Sequence, residues 1–349
     1  MSDIHIRQQG RIGHITLNRP QALNAMTYDM GLAIEAALDG WAGDDTVACV
    51  LIDAEGERAF CAGGDLQHMY DTASTGDFDF GRRFWRDEYR MNAKIFNFPK
   101  PYVALMQGFT MGGGVGIACH GSHRVVGESS RIAMPECGVG LVPDVGGSLL
   151  LARAPGRVGE YLGLTAARMD ASDALHAGFA DYYVPQARWP ELTETLIETG
   201  DWGIIDALAL DPPDGMLMRD RHRIDSAFAG STASDILRAL GTDEWADKTE
   251  ARIRKNSPLS VVCALELIRR VRGFEHIEPA LEMEYRFTSR SASDGDFIEG
   301  IRAAIIDKDN TPKWKHSEIE AVRHIEMVNM LLPLGRDKLT FHGPAKDAS

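Results

Sequence analysis

The sequence predicts an α/β fold in which strands, glycine turns and helices alternate before a mainly helical C-terminal part. Three observations predict it. Apolar runs at 47–53 (VACVLID), which resembles a strand buried on both faces, and at 102–107 (YVALMQ) read as strands. Each run leads to a glycine cluster, 60–65 (FCAGGD) and 108–116 (GFTMGGGVG). Helical patterning follows each cluster, and strand, glycine turn and helix recur at intervals of roughly 50 residues. Right-handed crossovers place such units side by side with parallel strands.

The elements follow in order. Residues 4–7 (IHIR) and 12–17 (IGHITL), parted by Gly10 and Arg11, read as a hairpin that Asn18-Arg19-Pro20 ends, because proline has no N–H for another ladder bond. Met30, Ala33, Ile34, Ala37 and Leu38 form one helical stripe with Thr27 as its cap. A helix begins at 66–70, and the polar, aromatic stretch 71–98 holds another near 82–96 and reads as a mobile wall of a site. Strand-like 122–126 precedes a proline- and glycine-rich loop, 134–147 (MPECGVGLVPDVGG), and a helix at 148–153. From about 190 the chain turns helical and acidic, with 201–250 as an inserted or covering segment. Ser257-Pro258 opens a helix whose Val261, Leu265 and Ile268 share a face. Another helix is expected at 297–306, and the tail 337–349 is expected to fray at its end. The expected division is a core over 1–200 and a helical region over 201–349.

With 44% apolar residues among 349, the chain can bury a large core. Its net charge of -14, with no basic stripe, argues against nucleic acid but permits an anionic small molecule held by a few local cations. Five cysteines, an odd number with no CxxC spacing, favour neither a disulfide framework nor a zinc site. The first residues lack a basic-then-apolar leader, and no apolar run reaches the roughly 20 residues of a membrane span. A cytoplasmic location is the expectation from these features. GxxxxGK[ST], a completed GxGxxG unit and GxSxG are all missing, which argues against a P-loop, a Rossmann site and an α/β-hydrolase nucleophile.

Two glycine clusters, Gly63-Gly64 and Gly112-Gly113-Gly114, carry the strongest signal for chemistry. Unpaired backbone N–H groups from two such loops can converge on an oxygen that gains negative charge during reaction; the same glycines also serve close packing of turns, and pattern alone leaves both readings open. Glu136 and Asp144 lie eight residues apart in one loop. Two carboxylates among apolar and glycine neighbours can acquire unequal proton affinities and divide acid from base duty. Solvent exposure or helix capping, with Asp144 capping the helix after Val145, is the plainer alternative. Glu88, by composition, reads as a solvated helical residue. His68, His120 and His123 show no metal spacing, and Cys61 and Cys137 read as small apolar fillers.

Taken together, these segments resemble the enoyl-CoA hydratase/isomerase (crotonase) superfamily over about residues 4–310, and most of all its 3-hydroxyisobutyryl-CoA hydrolase branch. The matching pieces are Asn18-Arg19-Pro20 with Ala22-Leu23-Asn24, 60–65 FCAGGD, 111–116 MGGGVG, 135–148 PECGVGLVPDVGGS, 284–286 EYR and 307–314 DKDNTPKW. The resemblance implies a crotonase-like spiral of repeated ββα units with a helical C-terminal region. It implies a thioester carbonyl held by the N–H groups of Gly64 and Gly113, a catalytic carboxylate at Glu136 and the hydrolase-branch aspartate at Asp144. Glu88 corresponds to a substrate contact, and the backbone around Cys61, Ala62 and Leu66 to the adenine half of coenzyme A. Hydratases of the family usually carry a further glutamate twenty residues before the second, where this chain has Gly116. Hydrolysis of a short 3-hydroxyacyl-CoA, as in valine breakdown, is therefore expected, with no metal or separate cofactor, since coenzyme A is part of the substrate. Two features depart from the branch: Cys137 stands where threonine is common, and Val142 where phenylalanine is common. Relatives often form homo-oligomers, an assembly that the 201–250 segment would block or remodel.

Overall fold

The computed structural model describes residues 2–341. β1 (Ile4–Gln9) and β2 (Ile12–Leu17) pair antiparallel, with Ile4 opposite Leu17 and Gln9 opposite Ile12. Gly10, at φ +55°, makes the turn, and a side chain there would strike the Ile197 carbonyl oxygen. α1 (Tyr28–Ala42) is capped by Thr27, whose hydroxyl accepts from the Met30 amide at 3.2 Å, and it buries Met30, Ile34, Leu38 and Trp41. The Trp41 ring lies flat against Gly13, where a β-carbon would come within 2.4 Å of it.

Three turns of chain follow, each built from two strands and then helix, the first with two helices and the others with one. The first is β3 (Cys49–Ala54), β4 (Ala59–Cys61), α2 (Leu66–Ser74) and α3 (Asp79–Phe96). The second is β5 (Tyr102–Met106), β6 (Phe109–Met111) and α4 (Gly113–Ala118). The third is β7 (His123–Val126), β8 (Arg131–Ala133) and α5 (Gly147–Arg153), after which β9 (Tyr182–Tyr183) closes the larger sheet. That sheet runs β1-β2-β3-β5-β7-β9, parallel from β2 onward, while β4-β6-β8 form a second, all-parallel sheet. This is the ββα spiral followed by helices.

Two details differ from the sequence reading. Two strands of the second sheet, β4 and β6, overlap what read as glycine turns, and β8 lies in the unassigned stretch before the 134–147 loop, because strands of three residues are too short to display alternation. The repeat is also uneven: long strands start at 49, 102 and 123, because α2 and α3 are accommodated in the first turn alone.

The larger sheet is apolar on both faces because each is covered. On one side Leu192, Leu196, Ile205 and Leu208 pack on Leu51, Val103 and Val125. On the other, Ile15, Val50 and Ile52 join a core that continues through Leu217, Ile224, Phe228, Ile236 and Ile253 of the 201–250 segment. Each such aliphatic side chain contributes about 2 kcal/mol by leaving water. Ser257 caps the Pro258–Arg270 helix and also donates to Asp296 at 2.6 Å. The expected 297–306 helix is present as Phe297–Ile301 passing into a π-helical turn, Arg302–Ile306. Of the tail expected to fray, 342–349 lies outside the described residues. No described helix is long and apolar enough to cross a membrane.

Candidate active site

The chain leaving β4 is fixed by three backbone bonds: Ala62 N–H to Leu23 O at 3.0 Å, Met26 N–H to Gly63 O at 2.8 Å and Asp65 N–H to Met26 O at 2.9 Å. These pair Met26 with Gly64 in parallel register, which turns the N–H of Gly64 away from Met26. The chain leaving β6 bends at Gly112, φ +50°, and enters α4 at Gly113, whose amide has no acceptor within its own helix. A β-carbon on Gly112 would lie 2.9 Å from Glu136 Oε1. One on Gly113 would lie 3.0 Å from Glu88 Oε1 and 3.4 Å from the Gly64 nitrogen. Absence of side chains at these positions thus opens a space where two loops and two carboxylates meet.

Glu136 begins a 3-10 turn, Glu136–Val139, after β8. Its Oε2 is buried with no hydrogen-bond partner among the described residues. Asp144 follows in the same loop, and its Oδ2 accepts from the Tyr89 hydroxyl at 2.7 Å. It does not cap α5: the N-cap is Gly146, without a side-chain bond. Glu88 is not solvated either. It lies on the inward face of α3 with Phe84, Trp85, Tyr89, Met91, Asn92 and Ile95, because that helix packs between α1 and the Ile277–Asp294 helix.

Glu88, Glu136 and Asp144 are only 6%, 5% and 4% exposed, so desolvation of the charged form dominates their titration. Burial, then the charge of Asp144, holds Glu136 well above the ordinary carboxylate range. The same two causes raise Glu88. Burial pushes Asp144 up to about 7, opposed by the Tyr89 hydrogen bond and by backbone bonds.

One cavity of about 220 Å³ is lined by Ala62, Gly64, Leu66, Glu88, Gly113, Glu136 and Asp144 together. Its other walls are Met69, Phe84, Trp85, Val139, Leu141, Phe297 and Ile305, a largely apolar set. The sequence marks the 71–98 stretch, which supplies Phe84 and Trp85, as a wall, but it singles out none of these residues, nor Tyr89, one by one; the helical spacing of 84, 85, 88, 89 and 92 is the available signal. Cys61 lies beneath the cavity instead of on its surface. Its sulfur donates to Gly63 O at 3.6 Å, and burial pushes its thiol up to about 12. Cys137 is fully buried, as a filler should be.

Position 116 is closed. A β-carbon on Gly116 would lie 2.8 Å from Asn92 Nδ2 and 2.8 Å from Val145 Cβ. A larger adjoining cavity of about 770 Å³ shares Pro135, Val139 and Ile305 with the first, and Arg168, Arg252 and Lys255 stand around it.

Comparison with known proteins gives this arrangement a family. Residues 12–332 match the family model described as enoyl-CoA hydratase/isomerase. The mitochondrial 3-hydroxyisobutyryl-CoA hydrolase of Gallus gallus is 37% identical over 97% of this chain and 91% of its own length. The Homo sapiens enzyme of the same name is 34% identical over the same shares. Among solved structures, an enoyl-CoA hydratase from Rhodobacter sphaeroides superposes with a TM-score of 0.93 at 53% identity, covering 97% of this chain and 100% of its own. A carnitinyl-CoA dehydratase from Mycobacterium thermoresistibile gives 0.94 at 40% identity over 99% and 100%. The expectation of a cytoplasmic location is overturned by these relatives, since the curated hydrolases at 34–37% identity are named as mitochondrial. Neither reduced cysteines nor the first residues of the sequence distinguish the two compartments. The chain belongs to the enoyl-CoA hydratase/isomerase family, in close relation to its 3-hydroxyisobutyryl-CoA hydrolase branch, and is an enzyme that acts on an acyl-CoA.

Proposed function

We propose that the enzyme hydrolyses a short 3-hydroxyacyl-CoA thioester, with 3-hydroxyisobutyryl-CoA as the leading candidate. The observation that carries this reading is that Glu136 and Asp144 share one cavity with the Gly64 and Gly113 backbone while position 116 has no room for a further acid. In this reading the amides of Gly64 and Gly113 bind the thioester carbonyl oxygen and stabilise its oxyanion. A donor of this kind is worth roughly 3–4 kcal/mol in the transition state.

Glu136 acts in its ionised form: it either attacks the carbonyl carbon or takes a proton from water that attacks it. Direct attack forms a C–O bond, breaks C–S and releases coenzyme A, whose thiolate takes up a proton. Water then cleaves the resulting anhydride to the hydroxy acid and regenerated Glu136. The water route reaches the same products without the anhydride. Asp144, held by Tyr89, positions the β-hydroxyl or the water and assists proton transfer, and Glu88 contacts the acyl group. Ala62, Leu66 and the backbone around Cys61 are assigned to the carrier. The small apolar cavity suits a short acyl chain, and the cations around the adjoining cavity suit a phosphorylated carrier.

A second reading, water addition to or elimination from an acyl-CoA, is favoured by the names of the two solved structures at 53% and 40% identity. The same pair of amides would stabilise a thioester enolate. Incubation with 3-hydroxyisobutyryl-CoA and with crotonyl-CoA separates the two. Thiol release from the first supports hydrolysis; loss of the crotonyl double bond without thiol release from either substrate overturns it in favour of the second reading. Tight coenzyme A binding without turnover of either would indicate a binding subunit.

A further inference from the structure

Asp144 sits at the end of a backbone conformation that its own sequence disfavours. Val145, a β-branched residue, has φ +53°, and Gly146 follows at φ +80°. Left-handed conformation is rare for a β-branched side chain and persists only where the surroundings impose it. A β-carbon at Gly146 would strike His120 Nε2 and Ile277 Cδ1, each at 2.6 Å.

What imposes it comes from the helical C-terminal part. Glu284, fully buried on the Ile277–Asp294 helix, reaches the far side of the loop. Its Oε2 accepts from the Gly146 amide at 2.8 Å, and its Oε1 from the Ser148 amide at 3.1 Å and from the Ser148 hydroxyl. From the same helix Thr288 lies 3.4 Å from the Tyr89 hydroxyl that donates to Asp144. A single helix thus meets both the backbone behind Asp144 and the phenol in front of it. His120 holds the intervening carbonyl, Val145 O, at 2.7 Å.

We infer that Glu284 is a positioning residue for the reaction, whose carboxylate holds the left-handed Val145–Gly146 pair and so aims Asp144 into the cavity. This rests on the reading that Asp144 takes part in turnover. Glu284 does not line the cavity, so it acts through the loop and not on substrate. The two oxygens have different duties. The one toward Gly146 fixes the turn; the one toward Ser148 secures the start of α5.

The test is a double-mutant cycle between Glu284→Gln and Asp144→Asn, read as kcat and KM for thiol release from 3-hydroxyisobutyryl-CoA, with thermal unfolding as the control for folding. Glutamine keeps the volume but cannot accept on both oxygens. With its carbonyl toward Ser148, its NH2 group faces the Gly146 N–H. Expected is a fall in kcat of about 100-fold, the scale of a misplaced catalytic group, with KM changed far less. In the Asp144→Asn background the same change should cost no more than about threefold, because the group it positions is already disabled. Ser148→Ala, which leaves the Gly146 bond in place, should stay within about threefold of wild type. Should Glu284→Gln not fold, Glu284→Asp, which keeps the charge and withdraws it from both amides, is put through the same cycle. Multiplicative losses, or full activity in the folded variant, overturn the inference while leaving the assignment of Asp144 standing. An unaffected Asp144→Asn enzyme overturns both.

Discussion

Asn92 occupies the space into which a side chain at Gly116 would grow: the amide nitrogen stands 2.8 Å from that absent β-carbon, with Val145 closing the other side. Neither amide atom of Asn92 has a partner among the described residues, although the side chain is fully buried. The contact therefore does more than mark a missing glutamate. It shows that the neighbours have closed over the vacancy, so restoring the acid alone would not restore its place.

Gly116→Ala is the smallest probe of that closure. In a helix alanine normally gains stability over glycine, but here overpacking against Val145, whose backbone is already in an unfavourable conformation, should win. The expected loss is about 1–3 kcal/mol in denaturant unfolding. Gly116→Glu should be less stable still and should not acquire crotonyl-CoA hydration, which a double-bond absorbance assay checks.

Glu136→Gln removes the group that attacks or accepts a proton while keeping its shape. Turnover should fall by about 10²–10⁴-fold, with coenzyme A affinity by calorimetry within a few-fold of wild type. Hydrolysis at near-native rate would remove Glu136 from the mechanism. Single turnover in heavy-oxygen water separates its two possible duties. Label entering the enzyme carboxylate favours the anhydride; label only in the hydroxy acid favours activated water.

The carboxylates also set a pH dependence whose sign is fixed. Glu136 works only when ionised, and the charge of Asp144 is among the causes that raise its proton affinity. Replacing Asp144 by asparagine removes that charge, so the acidic limb of the kcat/KM profile of whatever activity remains should move to lower pH. Movement to higher pH, or none, would mean that the two groups do not share a field.

Stability should respond in the opposite sense to activity. The folded state holds the Asp144 proton up to about pH 7, above the ordinary carboxylate range, and so binds it more tightly than the unfolded chain does. This contribution to stability is full below about pH 4 and is lost as the pH rises through about 7. An asparagine, which still accepts from Tyr89, escapes that loss. Asp144→Asn should therefore be more stable than wild type at pH 8 and converge with it near pH 4, as thermal melts across that range would show.

The parts of this site that the sequence disclosed are those where backbone chemistry is visible in residue type. Gly112 and Gly113 face carboxylates where β-carbons would go, and Gly63, at φ +115°, holds a backbone conformation that favours glycine. Thr27 and Ser257 advertise their caps in the same way. What stayed hidden depends on tertiary neighbours. Glu88 looked solvated because a charged residue on an amphipathic helix usually is, and only packing of α3 against two other helices buries it. Tyr89 and Glu284 are polar residues on buried helical faces, and nothing local says which loop, more than fifty residues away, will claim them. The small sheet was hidden for another reason: three-residue strands have no period to read.

Glu160 belongs to the same hidden class and allows a prediction away from the site. Its carboxylate is wholly buried and meets Arg157 at 2.7 Å, Arg272 at 2.9 Å and Arg269 at 3.6 Å. Arg269 in turn donates to the carbonyls of Phe228, Gly230 and Ser231. One carboxylate thus joins the Val158–Thr165 helix to the Pro258–Arg270 helix and, through Arg269, to the end of the Met216–Ala227 helix in the covering segment. Breaking a buried pair usually costs about 3–5 kcal/mol because charges are left behind unpaired. The three arginine side chains are 22–36% exposed, so water recovers part of that cost. Glu160→Ala should lose about 3 kcal/mol in denaturant unfolding, while kcat/KM of the folded enzyme stays near wild type because Glu160 does not line the cavity. A variant that kept its stability would show that the arginines find other partners; one that lost turnover while folded would show that the covering segment reaches the chemistry.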